Sequence, residues 1–306
     1  YKRKLNNGEI NEKKYAEEKE REFLQVYRNL LEKYNLKLDQ KEHDSFLGKW
    51  FLLPVREEID FTFGEIKKLD DADTKKLLAI ILSRTVRSCR ATTHADLATL
   101  KEPVKTTYYC RKHGKVCKPI FSVGGWWERY TVDTLNRLSE FQRLRTETFQ
   151  LCFTGDSRMV DIYEEVKRKN PAFADLLLRQ KAQGVFSSPP YVGLINYHEQ
   201  HAYSYELFGF TRKDEGEIGS LSSGQGREAR DAYVKGIAQA LQNCKKYFRK
   251  DYDVFLVAND KFNLYPDIAK LSNMKIVNRF KRPVLNRVEK DRSTAYSETI
   301  FHFKGL

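Results

Sequence analysis

From residue 149 onward, short apolar segments alternate with segments of helical length and composition. Runs rich in aromatic and β-branched residues, each of strand length, occupy residues 149–153, 184–186, 253–259, 274–280 and 295–303. Helix-favouring segments lie between them, at residues 159–169, 171–181, 228–248 and 266–271. Alternation of this kind is typical of a sheet flanked by helices. We therefore predict an α/β region over residues 149–306.

The first half of the chain has a different pattern. Apolar residues recur at helical spacing over residues 9–35, 71–90 and 132–149, which predicts a mainly helical region over residues 1–148. The adjacent glycines Gly124 and Gly125 predict a turn before the last of these helices. A Gly- and Ser-rich stretch at residues 216–226 predicts a mobile loop in the second half.

The hexapeptide at residues 186–191 reads Phe-Ser-Ser-Pro-Pro-Tyr and directly follows a predicted strand. Ser188 should therefore lie just beyond the carboxyl end of that strand, where open α/β sheets bind ligands. The two prolines fix φ and offer no N–H, so the loop should be stiff. A strand-ending turn without a catalytic role is the alternative.

This hexapeptide resembles the catalytic loop of DNA amino-methyltransferases, the restriction-modification enzymes whose signature reads Ser/Asp/Asn-Pro-Pro-Tyr/Phe. Asn-Tyr-His at residues 196–198 and Tyr-Glu-Leu-Phe at 205–208 resemble the helix after that loop. Phe-Thr-Gly-Asp-Ser-Arg at residues 153–158 is similar to a strand end of the family, and residues 278–300 are similar to its closing hairpin. The resemblance is clear from about Leu151 to the last residue and looser before it.

The resemblance implies a Rossmann-like sheet and methyl transfer from S-adenosylmethionine to N4 of cytosine or N6 of adenine. The side chain of Ser188 and the carbonyl of Pro189 would accept the two N–H groups of the target amine, and Pro190 would stiffen the loop. Tyr191 would stack on a base swung out of duplex DNA. Asp156 and Ser187 would lie on the cofactor side of the crevice.

The glycine-rich cofactor loop and the acidic ribose contact of this family have no counterpart in these 306 residues. We therefore expect the sheet to be incomplete, with the first strands upstream of Tyr1 or on another polypeptide. A cognate restriction endonuclease is a further expected partner. An RNA or protein amide methyltransferase and a non-catalytic DNA-specificity subunit remain alternatives.

A formal net charge of +13 favours a polyanionic partner such as double-stranded DNA. Arginines at a predicted helix end, basic residues of a predicted hairpin and basic residues near the last strands are the candidate DNA contacts. In that order they are Arg87 and Arg90, Lys112 and Lys115, and Arg279, Arg282 and Arg287. For the first group, favourable cations at a helix C-terminus are an equal explanation.

Cys110, His113 and Cys117 have metal-ligand spacing, Cys-x₂-His-x₃-Cys, and Cys89 or His94 could supply a fourth ligand to zinc. A basic hairpin with unligated thiols is the alternative. The chain has five cysteines and no segment with the composition of a signal peptide or membrane span. We therefore expect reduced thiols, no membrane association and a cytoplasmic protein, and the resemblance to restriction-modification enzymes implies that it comes from a bacterium or archaeon.

Overall fold

The computed structural model describes residues 12–33, 45–93, 102–110, 113–117, 122–283 and 297–306. The predicted site residues Lys112 and Arg287, and the candidate fourth ligand His94, lie outside these ranges. The chain divides into two compact units. The first contains Tyr1–Thr146 and His198–Arg212, and the second contains Glu147–Tyr197 and Lys213–Leu306.

The first unit is mainly helical. Its helices are α1 (Glu12–Lys33), α2 (Phe46–Trp50), α3 (Leu53–Lys68), α4 (Ala72–Ser88) and α5 (Val123–Leu144). A short antiparallel hairpin joins β1 (Tyr108–Cys110) to β2 (Lys115–Cys117). Helix α4 begins where the Asp71 carboxylate accepts a hydrogen bond from the Thr74 N–H at 2.6 Å. Its buried face, with Leu82 and Val86 fully enclosed, packs into the core of this unit.

The turn predicted at Gly124 and Gly125 is wrong. Helix α5 already begins at Val123, because the Ser122 hydroxyl caps it by accepting a hydrogen bond from the Gly125 N–H at 3.1 Å. The cap offsets the poor helix propensity of the two glycines, which occupy the first helical turn.

The second unit contains a four-stranded mixed sheet. Its strands are β3 (Ala182–Ser187), β4 (Phe248–Ala258), β5 (Met274–Pro283) and β6 (Ser297–Gly305), in the order β3-β4-β6-β5. Strands β3 and β4 are parallel, and β6 is antiparallel to both β4 and β5. The unit also contains α6 (Ile162–Lys169), α7 (Pro171–Gln180), α10 (Arg227–Lys245) and α11 (Tyr265–Leu271). Between them, α8 (Tyr197–Gln200) leads into α9 (Ala202–Phe208), which belongs to the first unit.

One face of this sheet forms the core of the second unit with α10 and α11. Along β4, Val254, Leu256 and Ala258 are buried at every second position, as the alternation of a strand requires. They pack with Phe301 and Phe303 of β6 and with buried residues of the two helices. This packing fixes where the carboxyl ends of β3 and β4 lie.

The strand predicted at residues 149–153 is wrong, since this described segment forms no strand. The carbonyl oxygen of Cys152 accepts a hydrogen bond from the Lys169 Nζ at 2.6 Å, so a side chain takes the place of a ladder partner. The Phe149 ring stacks on Phe173 of α7 with 5.1 Å between ring centroids. Within the described residues, β3 is left as an edge strand.

Candidate active site

The loop of the hexapeptide leaves the sheet at the carboxyl end of β3, beside the end of β4. Ser187 is in register with Leu256, and one residue further on the Ser188 hydroxyl donates a hydrogen bond to the Val257 carbonyl at 3.3 Å. Because the only hydroxyl proton points to Val257, the Ser188 oxygen can act towards a ligand as an acceptor. Ser188 itself is exposed, so a ligand can reach it.

Tyr191 is held at its hydroxyl end. Its hydroxyl donates a hydrogen bond to Oε1 of Glu298 at 2.6 Å, and its half-buried ring packs against the core of the second unit. Oε2 of Glu298 in turn accepts a hydrogen bond from Arg282 at 3.3 Å. Strand β6 therefore fixes the direction of the aromatic ring that was predicted to stack on a base.

A cavity of about 460 Å³ opens beside this loop. Its size falls in the range of small-molecule sites, which is roughly 300–1,000 Å³. Three segments and helix α10 line it. These are residues 155–157, residues 187–190, residues 216–218, and Ile237, Ala240, Leu241 and Cys244 of the helix, together with Val185, Tyr197 and Leu256.

The cavity brings together five residues that the sequence singled out from two distant segments. Asp156 lies in its wall with Ser187, Ser188, Pro189 and Pro190, whereas Tyr191 is not among the lining residues. The hydroxyls and the carboxylate give the wall polar groups, and Ile237, Ala240 and Leu241 of α10 give it an apolar surface. Such a cavity suits a ligand with both polar and apolar parts.

The carboxylate of Asp156 is not isolated. Arg158 donates to both of its oxygens, with Nε 2.9 Å from Oδ1 and 3.1 Å from Oδ2, and the Arg158 N–H also donates to Oδ1 at 2.9 Å. These hydrogen bonds hold the pKa of Asp156 below its usual range. Asp156 is therefore ionised at neutral pH, with its charge largely balanced by Arg158.

The stretch at residues 216–226 is a loop, as predicted, and its mobility stays a prediction. Two 3₁₀ turns, Asp214–Gly216 and Leu221–Ser223, contribute to it. Hydrogen bonds join it to the chain after the hexapeptide. The Tyr197 N–H donates to Glu217 at 2.6 Å, the Ser222 N–H donates to the Asn196 side chain at 2.8 Å, and the Gly193 N–H donates to the Gly219 carbonyl at 3.0 Å.

Three residues of this site had no predicted role: Tyr197, Glu217 and Glu298. Tyr197 and Glu217 line the cavity, and burial together with the charge of Glu217 raises the pKa of the Tyr197 hydroxyl. Glu217 lies in a Gly- and Ser-rich stretch whose composition indicates a loop but not its partners. Glu298 stands in the segment that resembles the closing hairpin, which was the only signal for it.

Arg90 does not fit its predicted contact with DNA, because it is only 2% exposed. Its guanidinium donates to the carbonyls of Arg87 and Gln200, both at 3.2 Å, and burial lowers its pKa to about 10. Of the arginines near this helix end, Arg90 is therefore a buried residue that donates hydrogen bonds inside the first unit.

The other described candidates for DNA contact are exposed. Arg87 and Lys115 lie on the surface of the first unit. In the second unit, Arg279 lies over the Phe301 ring at 5.6 Å, and Arg282 pairs with Glu298. All four remain predicted phosphate contacts.

The predicted metal ligands Cys110, His113 and Cys117 come together in the β1–β2 hairpin, with their ligand atoms within 4.8 Å of one another. Cys89 is not part of this group. It is fully buried in the core of the first unit, where burial raises the pKa of its thiol to about 12.

A comparison with curated proteins finds a methyltransferase. The chain is 47% identical over 309 residues to the Type II methyltransferase M.MjaII of Methanocaldococcus jannaschii. The match covers 99% of this chain and 58% of that protein, so the chain spans less than two thirds of its relative's length. No family model matches the chain, and no solved structure matches it. The similarity extends over both units.

Among the helices formed by the described residues, none combines the length and apolar character that a membrane crossing requires.

Proposed function

We propose that this chain carries the target-base half of a DNA amino-methyltransferase of a restriction-modification system. The reaction is methyl transfer to the exocyclic amine of cytosine (N4) or adenine (N6). The observation that carries the proposal is the position of Ser188 and Pro189, at the carboxyl end of β3 and in the wall of a ligand-sized cavity. The similarity to a type II methyltransferase supports the same conclusion.

The chemistry requires two acceptors close together. The lone pair of an exocyclic amine is delocalised into the ring, so the nitrogen is a poor nucleophile. Hydrogen bonds from its two N–H groups to the Ser188 hydroxyl oxygen and the Pro189 carbonyl draw the nitrogen towards tetrahedral geometry and localise the lone pair. Ser188 is suited to this role because its proton is already donated to Val257. The loop can hold both acceptors in place because Pro189 and Pro190 restrict the backbone.

S-adenosylmethionine supplies the electrophilic methyl group when it is bound. The cavity wall fits part of such a molecule, since Asp156 and Ser187 offer polar contacts and Leu241 with Ile237 an apolar surface. The glycine-rich loop and acidic ribose contact of the family are not in this sequence. We propose that the remainder of a longer protein, or a second chain, provides them and completes a Rossmann-like sheet. The parallel β3–β4 pair and the four-stranded mixed sheet support that fold.

Double-stranded DNA with a flipped base is the proposed partner, in the cytoplasm of the cell. The net charge of +13 supports it, and so do the exposed side chains of Arg87, Lys115 and Arg279. Tyr191 is the proposed stacking ring, which the Glu298 contact holds in one orientation. A cognate restriction endonuclease is a proposed companion, because the relative is named a type II methyltransferase.

Transfer of a labelled methyl group, measured with the complete protein, tests the proposal. We expect incorporation into duplex DNA, and digestion to nucleosides should yield N4-methylcytosine or N6-methyladenine. Single-stranded RNA and a protein mixture serve as competitors. Methylation of RNA or of a protein amide in preference to DNA would contradict the proposed substrate. Binding of DNA with no transfer to any acceptor would indicate a specificity subunit.

A further inference from the structure

The β1–β2 hairpin places two sulfurs and an imidazole around one point. Its strands pair Tyr108 with Cys117 and Cys110 with Lys115. The turn is closed by the His113 and Gly114 N–H groups, which donate to the Cys110 carbonyl at 3.2 and 2.8 Å. Gly114 adopts φ 60°, a left-handed conformation that glycine accepts without strain. This tight turn brings His113 back towards the cysteine side chains.

The ligand atoms of this group lie close enough together to surround one metal ion. Sγ of Cys117 lies 3.5 Å from Nδ1 of His113, and all three ligand atoms, with Sγ of Cys110, lie within 4.8 Å of one another. With Zn–S near 2.3 Å and Zn–N near 2.0–2.1 Å, tetrahedral ligand atoms stand about 3.5–3.8 Å apart. The sulfur–nitrogen distance falls in that range, and side-chain movements of about 1 Å or less bring all three atoms onto one ion.

The burial of the three residues also suits a structural metal site. Cys110 is 2% exposed, Cys117 is half-buried and His113 is exposed. One ligand is thus anchored in the interior, while the exposed imidazole leaves a path by which an ion can enter. Thiolates and imidazole are the ligands that zinc prefers in such sites.

We propose that Cys110, His113 and Cys117 bind one zinc ion, and that a water molecule or a ligand from outside the hairpin completes its coordination. The ion has a structural role. Strands of only three residues are marginal in water by themselves, and a metal that links both strands to the turn stabilises them.

The site goes beyond the proposed methyl transfer, because none of its residues belongs to the loop or the cavity of the second unit. It does bear on DNA recognition. Lys115 stands between the ligands His113 and Cys117 and is exposed. A bound ion would fix the part of the hairpin that presents this lysine.

Zinc content of the full chain, purified under reducing conditions and measured by elemental analysis, tests the proposal without reference to DNA or methylation. We expect roughly one zinc ion per chain, as for a single structural site. His113→Ala and Cys117→Ser should both lose the ion. Because His113 is exposed, its replacement should leave the helical content unchanged, which circular dichroism checks. Cys152→Ser removes an exposed cysteine in the second unit and is the matched control, with zinc retained.

Replacement of zinc by Co²⁺ provides a second readout, since thiolate ligands give Co²⁺ a charge-transfer absorption that should weaken in Cys117→Ser and stay unchanged in Cys152→Ser. Two results would overturn the proposal. They are a wild-type chain that binds no zinc even when zinc is added, and a zinc content that is the same in His113→Ala and Cys117→Ser as in wild type.

Discussion

The Tyr191 hydroxyl donates a hydrogen bond to Glu298 at 2.6 Å, which joins the loop after β3 to the beginning of strand β6. The two residues are 107 positions apart in sequence. Glu298 also pairs with Arg282, the residue opposite it on β5, at 3.3 Å. An exposed arginine that was predicted to contact phosphate is thereby connected through one carboxylate to the ring proposed to hold the target base.

The contact between Tyr191 and Glu298 predicts a coupled effect on methyl transfer. Tyr191→Phe removes this hydrogen bond and Glu298→Gln weakens it. Each variant should therefore transfer the methyl group about tenfold more slowly, which corresponds to roughly 1.4 kcal/mol in activation free energy. The double variant should lose little more than the more affected single variant, because the interaction can be lost only once.

Single-turnover methylation of duplex DNA by the complete protein measures this coupling. Tyr247→Phe is the control, since it removes a hydroxyl of the second unit that bonds to Asp161 far from the loop in sequence. Losses that multiply in the double variant would show that the two residues act independently and would contradict the positioning role of Glu298.

Gly184 predicts a large effect on stability. It has φ 151°, and a Cβ placed there would stand 1.6 Å from the Asp253 carbonyl oxygen. The neighbouring atom is backbone of β4, which cannot turn aside as a side chain can. Gly184→Ala should therefore destabilise the second unit by about 3 kcal/mol or more, from strain and overpacking together.

Denaturant unfolding with a probe in the second unit checks this value. Gly216→Ala is the matched control, because its Cβ would meet no atom within 4 Å, and its effect should stay within about 1 kcal/mol. If Gly184→Ala unfolds at the same midpoint as wild type, the close approach of β3 and β4 at this residue is not as the structure has it.

His201 predicts a pH dependence for the first unit. Burial lowers its pKa below the usual 6.5, and the nearby charges of Arg87, Arg90 and His198 lower it further. The unfolded chain therefore binds a proton as the pH falls through 6.5, while the folded chain resists protonation until its lower pKa is reached. The contribution of neutral His201 to the free energy of unfolding is therefore fully present above pH 6.5. It decreases as the pH falls from 6.5 to the pKa of His201 in the folded chain.

Urea unfolding of the first unit at several pH values above and below 6.5 measures this slope. In His201→Gln the fall in stability on acidification should be smaller, because the titrating group is gone. An identical slope in His201→Gln and wild type would assign the pH dependence to other groups.

Replacement of Arg87 and replacement of Arg90 should affect different properties of the protein, although the two residues stand only three positions apart. Arg87 is exposed, so Arg87→Ala should weaken DNA binding and reduce the slope of log affinity against log salt by about 1. Arg90 is buried and holds the Arg87 and Gln200 carbonyls, so Arg90→Ala should lower the stability of the first unit instead. Fluorescence anisotropy with labelled duplex at several salt concentrations separates the two. An unchanged salt slope in Arg87→Ala would remove Arg87 from the DNA surface.

The sequence was sufficient where local pattern decides the structure. Strands β3 and β5 and helices α7 and α10 lie within three residues of their predicted bounds, whereas β4 begins five residues earlier than predicted. Ser188 lies at the end of a strand because a short apolar run and two prolines leave few other conformations. Asp156 and Ser187 both line one cavity, and the contact with the cofactor that the resemblance implies for them stays a prediction.

The sequence failed where contacts between distant segments decide. Residues 149–153 have a strand's composition, but the Cys152 carbonyl accepts a hydrogen bond from the Lys169 side chain and not from a neighbouring strand. Residues 216–226 have a loop's composition and form a loop, but that composition does not identify the hydrogen bonds they make with residues 193–197. Arg90 is buried because Gln200, far along the chain, offers it a carbonyl. None of these partners can be identified from composition or periodicity, which report only on near neighbours in sequence.

The rate of methyl transfer by Ser188→Ala tests the central claim most directly. Removal of the hydroxyl deletes one of two acceptors for the target amine, and loss of one such hydrogen bond in a preorganised site costs about 100-fold in rate. We predict that loss, with DNA affinity retained and with Ser139→Ala, an exposed serine of α5, at the wild-type rate. A Ser188→Ala protein that methylates DNA as fast as wild type would contradict the assignment of Ser188 as the acceptor for the target amine.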